Sequence, residues 1–267
     1  MRTIDVGGQQ LRVEVRPGDP DRTPLLLLNG IGASFEAFDP LVDALDPALG
    51  VIRFDAPGVG GSPLPALPYR FPGLARRIAA LLDELGYDRV DVLGISWGGG
   101  LAQQFAFTQR SRCRRLVLVA TGTGSIMVPA GPRVLARMIT PRRYLDAGYL
   151  RSVAAELYGG SARTDADLVR RVLHAHTRVG PPLGYLYQLL AGAGWTSVAF
   201  LPFLHQEVLV LAGDDDPIIP PVNGRILAAL IPHATLHRYP GGHLELAADP
   251  QLLVPAIQQF LTKEPQP

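Results

Sequence analysis

The sequence has almost no cysteine and almost no lysine, and its charges balance. A single cysteine, Cys113, among 267 residues can close no internal disulfide and sits in no metal-ligand spacing. Lysine is equally scarce: Lys263 is the only one among 25 basic residues, which balance 24 acids to leave a formal charge of +1. That balance gives no electrostatic footprint for a nucleic-acid backbone, which argues against DNA and RNA as partners. Long apolar runs are missing too. The longest, such as Leu25 to Leu28 and Val208 to Ala212, have strand length and fall well short of the ~20 residues a membrane span needs. The opening Met1-Arg-Thr-Ile-Asp-Val-Gly-Gly8 lacks the apolar core of about 7–15 residues that marks a secretory signal. A soluble, cytoplasmic protein without a membrane span is expected.

What is present suits one large domain. An apolar fraction of 47% exceeds that of a disordered chain, and a chain of this length can bury roughly 75% of its unfolded surface without staples. Short apolar stretches recur between helical patterns, the rhythm of a mostly parallel sheet flanked by helices. Strands are expected at Leu11 to Arg16, Leu25 to Asn29, Val51 to Phe54, Val90 to Ile95, Leu116 to Ala120, Val208 to Ala212 and Thr235 to Tyr239. Helices are expected at Phe71 to Leu85, Gly99 to Thr108, Val222 to Ile231 and Pro250 to Leu261. More than eighty residues between the fifth and sixth of these helix-flanked strands break the rhythm. They read as a helical cap, 122–204, inserted into a core domain of residues 1–121 and 205–267. Residues 121–204 hold nine arginines against four acids, a basic excess that more often marks solvated helix faces than a binding surface.

The segment Val90-Asp-Val-Leu-Gly94-Ile95-Ser96-Trp97-Gly98-Gly99-Gly100 carries the most chemistry. A strand runs into G-x-S-x-G and then into a helical pattern, the context of a nucleophile elbow. Glycines two before and two after the serine are needed because strand and helix approach closely there, and the serine itself is held in a strained conformation. The turn lifts the Ser96 hydroxyl above the sheet edge, over the free N–H groups of the following helix.

A serine hydroxyl needs a base, and the base an orienting acid. Of six histidines, His233 and His237 flank or lie in a predicted strand, His205 precedes another, and His174 and His176 fall in the insertion. His243, in the glycine-rich Tyr239-Pro-Gly-Gly-His243 after the last strand, can reach over the sheet edge and is the candidate base. The acid should follow an earlier strand, in the order serine, acid, histidine. Asp214, Asp215 and Asp216 all qualify. Three acids in a row often mark only a solvated turn or helix cap, but the position three after Gly213 and four before Pro220 selects Asp216, with Asp215 next. Donors for an oxyanion are expected from the backbone N–H of Trp97, after the nucleophile, and of Ile31, in Asn29-Gly-Ile-Gly-Ala33. Gly58-Val-Gly60-Gly61-Ser-Pro63 puts proline where a dinucleotide fingerprint needs its last glycine, and no phosphate-loop pattern occurs. No cofactor and no metal are expected.

Gly94-Ile-Ser96-Trp-Gly-Gly followed by Leu101-Ala-Gln-Gln-Phe, with Asn29-Gly-Ile-Gly, Asp55-Ala-Pro-Gly-Val-Gly-Gly-Ser62, Pro68 to Ala75, Gly194-Trp-Thr-Ser197 and Leu211 to Pro217, resembles the intracellular medium-chain-length polyhydroxyalkanoate depolymerases of the α/β-hydrolase superfamily. The resemblance runs from about Leu11 to His243 and thins across Asp146 to Pro182. It implies an α/β-hydrolase fold with an inserted helical cap and puts the triad on Ser96, Asp216 and His243. It also implies the substrate, an ester of 3-hydroxyalkanoic acids stored as cytoplasmic granules. The partners expected are thus a polyester granule or a small ester. A general carboxylesterase, a cofactor-free haloperoxidase or a C–C bond hydrolase shares the triad, and a granule-associated binding protein would be the non-enzymatic alternative. The insertion and its borders hold Tyr144, Tyr149, Tyr158, Tyr185, Tyr187, Trp195, Phe200 and Phe203. Most should fill a core, while Trp195 and Tyr187 are expected to line an apolar substrate tunnel near Ser96. Oligomeric state is not legible in the sequence.

Overall fold

The computed structural model describes residues 1–263 apart from 175–177 and 179. Eight strands form one sheet: β1 Arg2–Val6, β2 Gln9–Arg16, β3 Leu25–Leu28, β4 Val51–Phe54, β5 Val90–Ile95, β6 Cys113–Val119, β7 Glu207–Gly213 and β8 Ala234–Tyr239, in the order β1-β2-β4-β3-β5-β6-β7-β8. β1 and β2 pair antiparallel, as do β2 and β4, and every other neighbour is parallel. The helices among the described residues are α1 Asp39–Ala44, α2 Phe71–Leu85, α3 Trp97–Thr108, α4 Pro132–Met138, α5 Arg142–Leu145, α6 Ala147–Tyr158, α7 Ala166–His174, α8 Pro182–Gly192, α9 Val222–Leu230, α10 Glu245–Ala248 and α11 Val254–Thr262. α4 to α8 all lie between β6 and β7.

Both faces of the sheet are covered, which is why β3 is an unbroken Leu-Leu-Leu-Leu, every residue buried. Alternate residues serve opposite layers. Leu26 and Leu28 pack with Leu74 and Ile78 of α2 and Phe105 of α3, while Leu25 and Leu27 pack with Leu41 of α1 and Ile257 of α11. A third cluster joins Leu150, Leu157 and Tyr158 of α6, Val169 of α7 and Tyr185 of α8 to Ile31 and Ile218 of the loops beneath. The buried charge Asp91 in β5 faces Arg114 of β6, whose Nε lies 2.8 Å from its carboxylate, so the neighbour on the next strand compensates it.

Three departures from the sequence reading have local causes. β1 was not foreseen because an edge strand with one sheet neighbour leaves most of its side chains in water. The last helix begins at Val254 after a short 3₁₀ turn at Pro250–Leu252, because Pro255 has no N–H to continue a helix begun at Pro250 and is accommodated only in a first turn. β6 starts at Cys113 and stops before Ala120, whose φ of 45° breaks the extended backbone.

Candidate active site

Ser96 joins β5 to α3 with φ 54° and ψ −119°, a conformation that costs a non-glycine residue about 1–3 kcal/mol. The surroundings enforce it. Its N–H donates to the Val119 carbonyl at 3.0 Å, and its own carbonyl accepts from Gly99 N–H at 2.9 Å and from Thr121 Oγ1 at 2.7 Å. A Cβ on Gly94 would lie 2.3 Å from the Gly98 carbonyl oxygen, and one on Gly98 would lie 2.1 Å from that of Leu28. Both elbow glycines are therefore fixed by backbone contact, as the pattern required.

The three adjacent aspartates diverge. Asp214 accepts from Arg238 Nε at 2.7 Å, and Asp215 from Arg163 Nη2 at 2.7 Å and Gly160 N–H at 2.8 Å. Asp216 turns inward: Oδ1 accepts the N–H groups of Ile218 and Ile219, both at 2.9 Å, which leaves Oδ2 2.8 Å from His243 Nδ1. Both members of this pair are buried. An Nδ1–H donated to the carboxylate leaves Nε2 as the basic nitrogen. His243 and Ser96 line one cavity with Ile31, Arg143, Tyr144 and Tyr158. Among the described residues no hydrogen bond joins the serine hydroxyl to the imidazole; such bonds commonly tighten only when substrate is bound.

Ile31 lines a cavity with Ser96, Trp97 follows the serine in the chain, and neither backbone N–H donates to another described residue. Side chains from the inserted helices hold the loop that carries Ile31. Tyr144 Oη donates to the Ile31 carbonyl at 2.7 Å, and Gln188 Oε1 accepts the Gly32 N–H at 2.7 Å. Gln188 also takes the Trp97 indole N–H on its backbone carbonyl at 2.8 Å. The two aromatic residues expected near Ser96 part company. Trp195 lines a second cavity that Ser96 shares with Trp97 and Phe71, whereas Tyr187 is half-buried and lines neither cavity containing Ser96. Tyr144 and Tyr158 stand there instead, together with the buried guanidinium of Arg143, which donates to Tyr185 Oη at 2.9 Å. Phe200 stacks on Phe107 and lies against Trp195 without lining either cavity, and Phe203 is exposed. His205, His233 and His237 line neither Ser96 cavity, and His176 lies outside the described residues. Among the described residues no three His, Cys, Asp or Glu side chains group as metal ligands.

A strained serine between strand and helix, above a mostly parallel sheet with an Asp–His pair at its edge, is a recurrent architecture, and residues 23–246 match the family model for the α/β hydrolase fold. The chain belongs to that family. This α/β hydrolase is 50% identical, over 99% of its length and 93% of the relative's, to a poly(3-hydroxyalkanoate) depolymerase of Ectopseudomonas oleovorans. It is 25% identical to 3-oxoadipate enol-lactonase 2 of Acinetobacter baylyi over 92% of the chain and 91% of the relative. Among solved structures, a hydrolase from Pseudomonas aeruginosa PA01 superposes with a TM-score of 0.81 at 28% identity, covering 98% of each chain. The resemblance read from the sequence motifs thus extends over nearly the whole α/β hydrolase. No helix among its described residues is long and apolar enough to cross a membrane.

Proposed function

We propose that the protein is a serine ester hydrolase that cleaves 3-hydroxyalkanoate polyester or oligoester bonds through an acyl-enzyme. The observation that carries the chemistry is the buried 2.8 Å contact between Asp216 Oδ2 and His243 Nδ1, on an imidazole that lines the same cavity as the elbow serine. Ser96 Oγ attacks the ester carbonyl while His243 Nε2 takes its proton, and the amides of Ile31 and Trp97 bind the oxyanion. The tetrahedral intermediate collapses by breaking the bond to the alcohol oxygen, which receives the proton from His243. Water, deprotonated by the same imidazole, then attacks the acyl-enzyme; the bond to Ser96 Oγ breaks, Oγ takes the proton back from His243, and the hydroxy acid is released. Asp216 accepts the Nδ1–H and holds the ring in one tautomer.

The substrate class is supported by the 50% identical depolymerase and by the apolar and aromatic walls of both cavities beside Ser96. In this reading residues 122–204 act as a cap over the nucleophile, and the enzyme works in the cytoplasm at the surface of polyester granules. Two measurements test it. A fluorophosphonate should label one serine per chain, and 3-hydroxyacyl oligomers should be cleaved in preference to simple short-chain esters. Stoichiometric labelling without oligomer cleavage would move the protein to the general carboxylesterases, and no labelling would overturn the serine mechanism.

A further inference from the structure

Two residues beyond His243 stands a carboxylate that the reaction above does not use. Glu245 is buried, at 3% exposure, and receives three hydrogen bonds from neutral donors. Its Oε1 accepts the Ser161 N–H at 2.7 Å and the Gly242 N–H at 3.0 Å, and its Oε2 accepts Ser161 Oγ at 2.7 Å. Gly242 immediately precedes the histidine, and Ser161 lies across 84 residues of sequence, in the 3₁₀ turn Gly160–Arg163 that follows α6. The histidine's own N–H donates to the carbonyl of Tyr158, the last residue of α6, at 2.8 Å. Contact is so close that a Cβ on Gly160 would lie 2.0 Å from Glu245 Oε1 and 2.1 Å from Gly242 N. The same turn grips the acid loop, through the Gly160 N–H and Arg163 on Asp215, one residue before Asp216.

We propose that Glu245 is a positioning residue: it clamps the His243 loop to the turn at Tyr158–Arg163 and so fixes the imidazole between Asp216 and Ser96. The inference rests on the serine-hydrolase reading. A glycine-rich loop has no stiffness of its own, and a general base misplaced by about 1 Å can lose up to ~10²-fold in rate. A buried carboxylate that satisfies two backbone donors and a hydroxyl at once supplies that stiffness. The corner also anchors the inserted helices, so any movement that admits a polymer has to take place away from Tyr158–Arg163.

The test uses the full-length chain as Glu245→Ala, Glu245→Gln and Ser161→Ala. Four quantities are measured: kcat and KM on a nitrophenyl ester, the fluorophosphonate labelling rate, the thermal midpoint, and the downfield proton resonance of His243 Nδ1–H. Glu245→Ala should lower kcat at least about tenfold with KM nearly unchanged, slow labelling in parallel, and broaden or shift the imidazole resonance. Glu245→Gln should recover most of the loss, because its amide oxygen still accepts both N–H groups and its NH₂ can donate to Ser161 Oγ. Ser161→Ala should fall between, and it carries the test from the other side if Glu245→Ala does not fold. A folded Glu245→Ala or Ser161→Ala protein with a lowered midpoint but unchanged kcat and resonance would reduce Glu245 to a stabilising contact and overturn the proposal. If the wild-type protein itself takes no label, it is the serine mechanism that has failed, and the resonance still reports on the clamp.

Discussion

Asp216 Oδ2 lies 2.8 Å from His243 Nδ1, while the preceding carboxylate, Asp215, faces the opposite way onto Arg163. Adjacent residues thus serve different elements. We predict that Asp216→Asn lowers kcat by ~10³ to 10⁴ through loss of imidazole orientation. Asp214→Asn, at a side chain that pairs with Arg238 near the surface, should leave kcat within about twofold, as surface substitutions usually do. Asp215→Asn should act between them because it loosens the acid loop from the 160–163 turn. Kinetics on one soluble ester rank the three, and an Asp215→Asn loss as large as that of Asp216→Asn would contradict the assignment.

Asp215 also predicts a pH dependence. The Arg163 ion pair, opposed by slight burial and helped by the Gly160 N–H, holds its carboxyl below the ordinary carboxylate range. A depressed folded-state pKa means that the unfolded chain binds the proton more readily. The stabilisation is therefore complete above the unfolded value of ~3.9 and disappears as pH falls through the lower folded value. Both side chains are close to half exposed, so the contribution should stay under about 1 kcal/mol. The gap in thermal midpoint between wild type and Asp215→Asn should be constant from neutrality to about pH 5 and close on further acidification. A gap that widened instead would mean that the pair is not what separates the two proteins.

At the elbow, Ser96→Ala should cost ~10⁴ to 10⁶ in kcat, leaving only binding and oxyanion contributions; more than about a tenth of wild-type activity would refute covalent catalysis. Stability should move differently. The φ of 54° is strained for serine and for alanine alike but open to glycine. Ser96→Gly should therefore be more stable than Ser96→Ala by roughly 1 kcal/mol, read as the difference in denaturant midpoints.

These site residues were legible in the sequence because backbone geometry dictates them. Gly94 and Gly98 answer to carbonyls 2.3 and 2.1 Å from a would-be Cβ, the acid loop follows the apolar strand β7, and the base lies in a glycine-rich loop just after the last strand, β8. The supporting residues left no such mark. Gln188 meets Gly32 across 156 positions and Tyr144 meets Ile31 across 113, so neither spacing nor composition connects them. Within the insertion, α5 spans only four residues. Helical periodicity over so short a stretch does not tell which side chain turns inward, so nothing in the sequence singles out Tyr144. The clamp at Glu245 was hidden for the same reason: its partner lies far away in sequence.

Cys113 should be chemically silent in the folded protein. It is 1% exposed, and burial, reinforced by the nearby Asp91 carboxylate, pushes its thiol well above the ordinary range. The thiolate is the reactive form, so iodoacetamide at pH 8 should modify less than about a tenth of the native protein while labelling the urea-unfolded chain fully. Activity should not change. Rapid labelling accompanied by loss of activity would mean that the end of the sheet opposite Ser96 opens in the native state.

We predict that the aromatic residues around Ser96 set how turnover depends on acyl-chain length. Trp195 sits edge-on to Phe71 with centroids 4.8 Å apart, and its indole N–H is held by Gln104 Oε1 at 2.8 Å, so it forms a fixed wall of the cavity that Ser96 shares with it. Tyr187 has no place in that wall. Each methylene buried there should contribute up to ~0.8 kcal/mol, so across acyl esters from two to eight carbons kcat/KM should climb several-fold over the first few added carbons and level off once the space is filled. Trp195→Leu removes one side of the cavity while keeping an apolar surface, and it should flatten that climb. Tyr187→Leu should leave the climb intact and serves as the control for a change in α8 at a residue that lines neither cavity containing Ser96. If Tyr187→Leu flattened the dependence and Trp195→Leu did not, the alkyl chain would run under α8 instead of beside Phe71, and the second cavity would have no part in substrate choice.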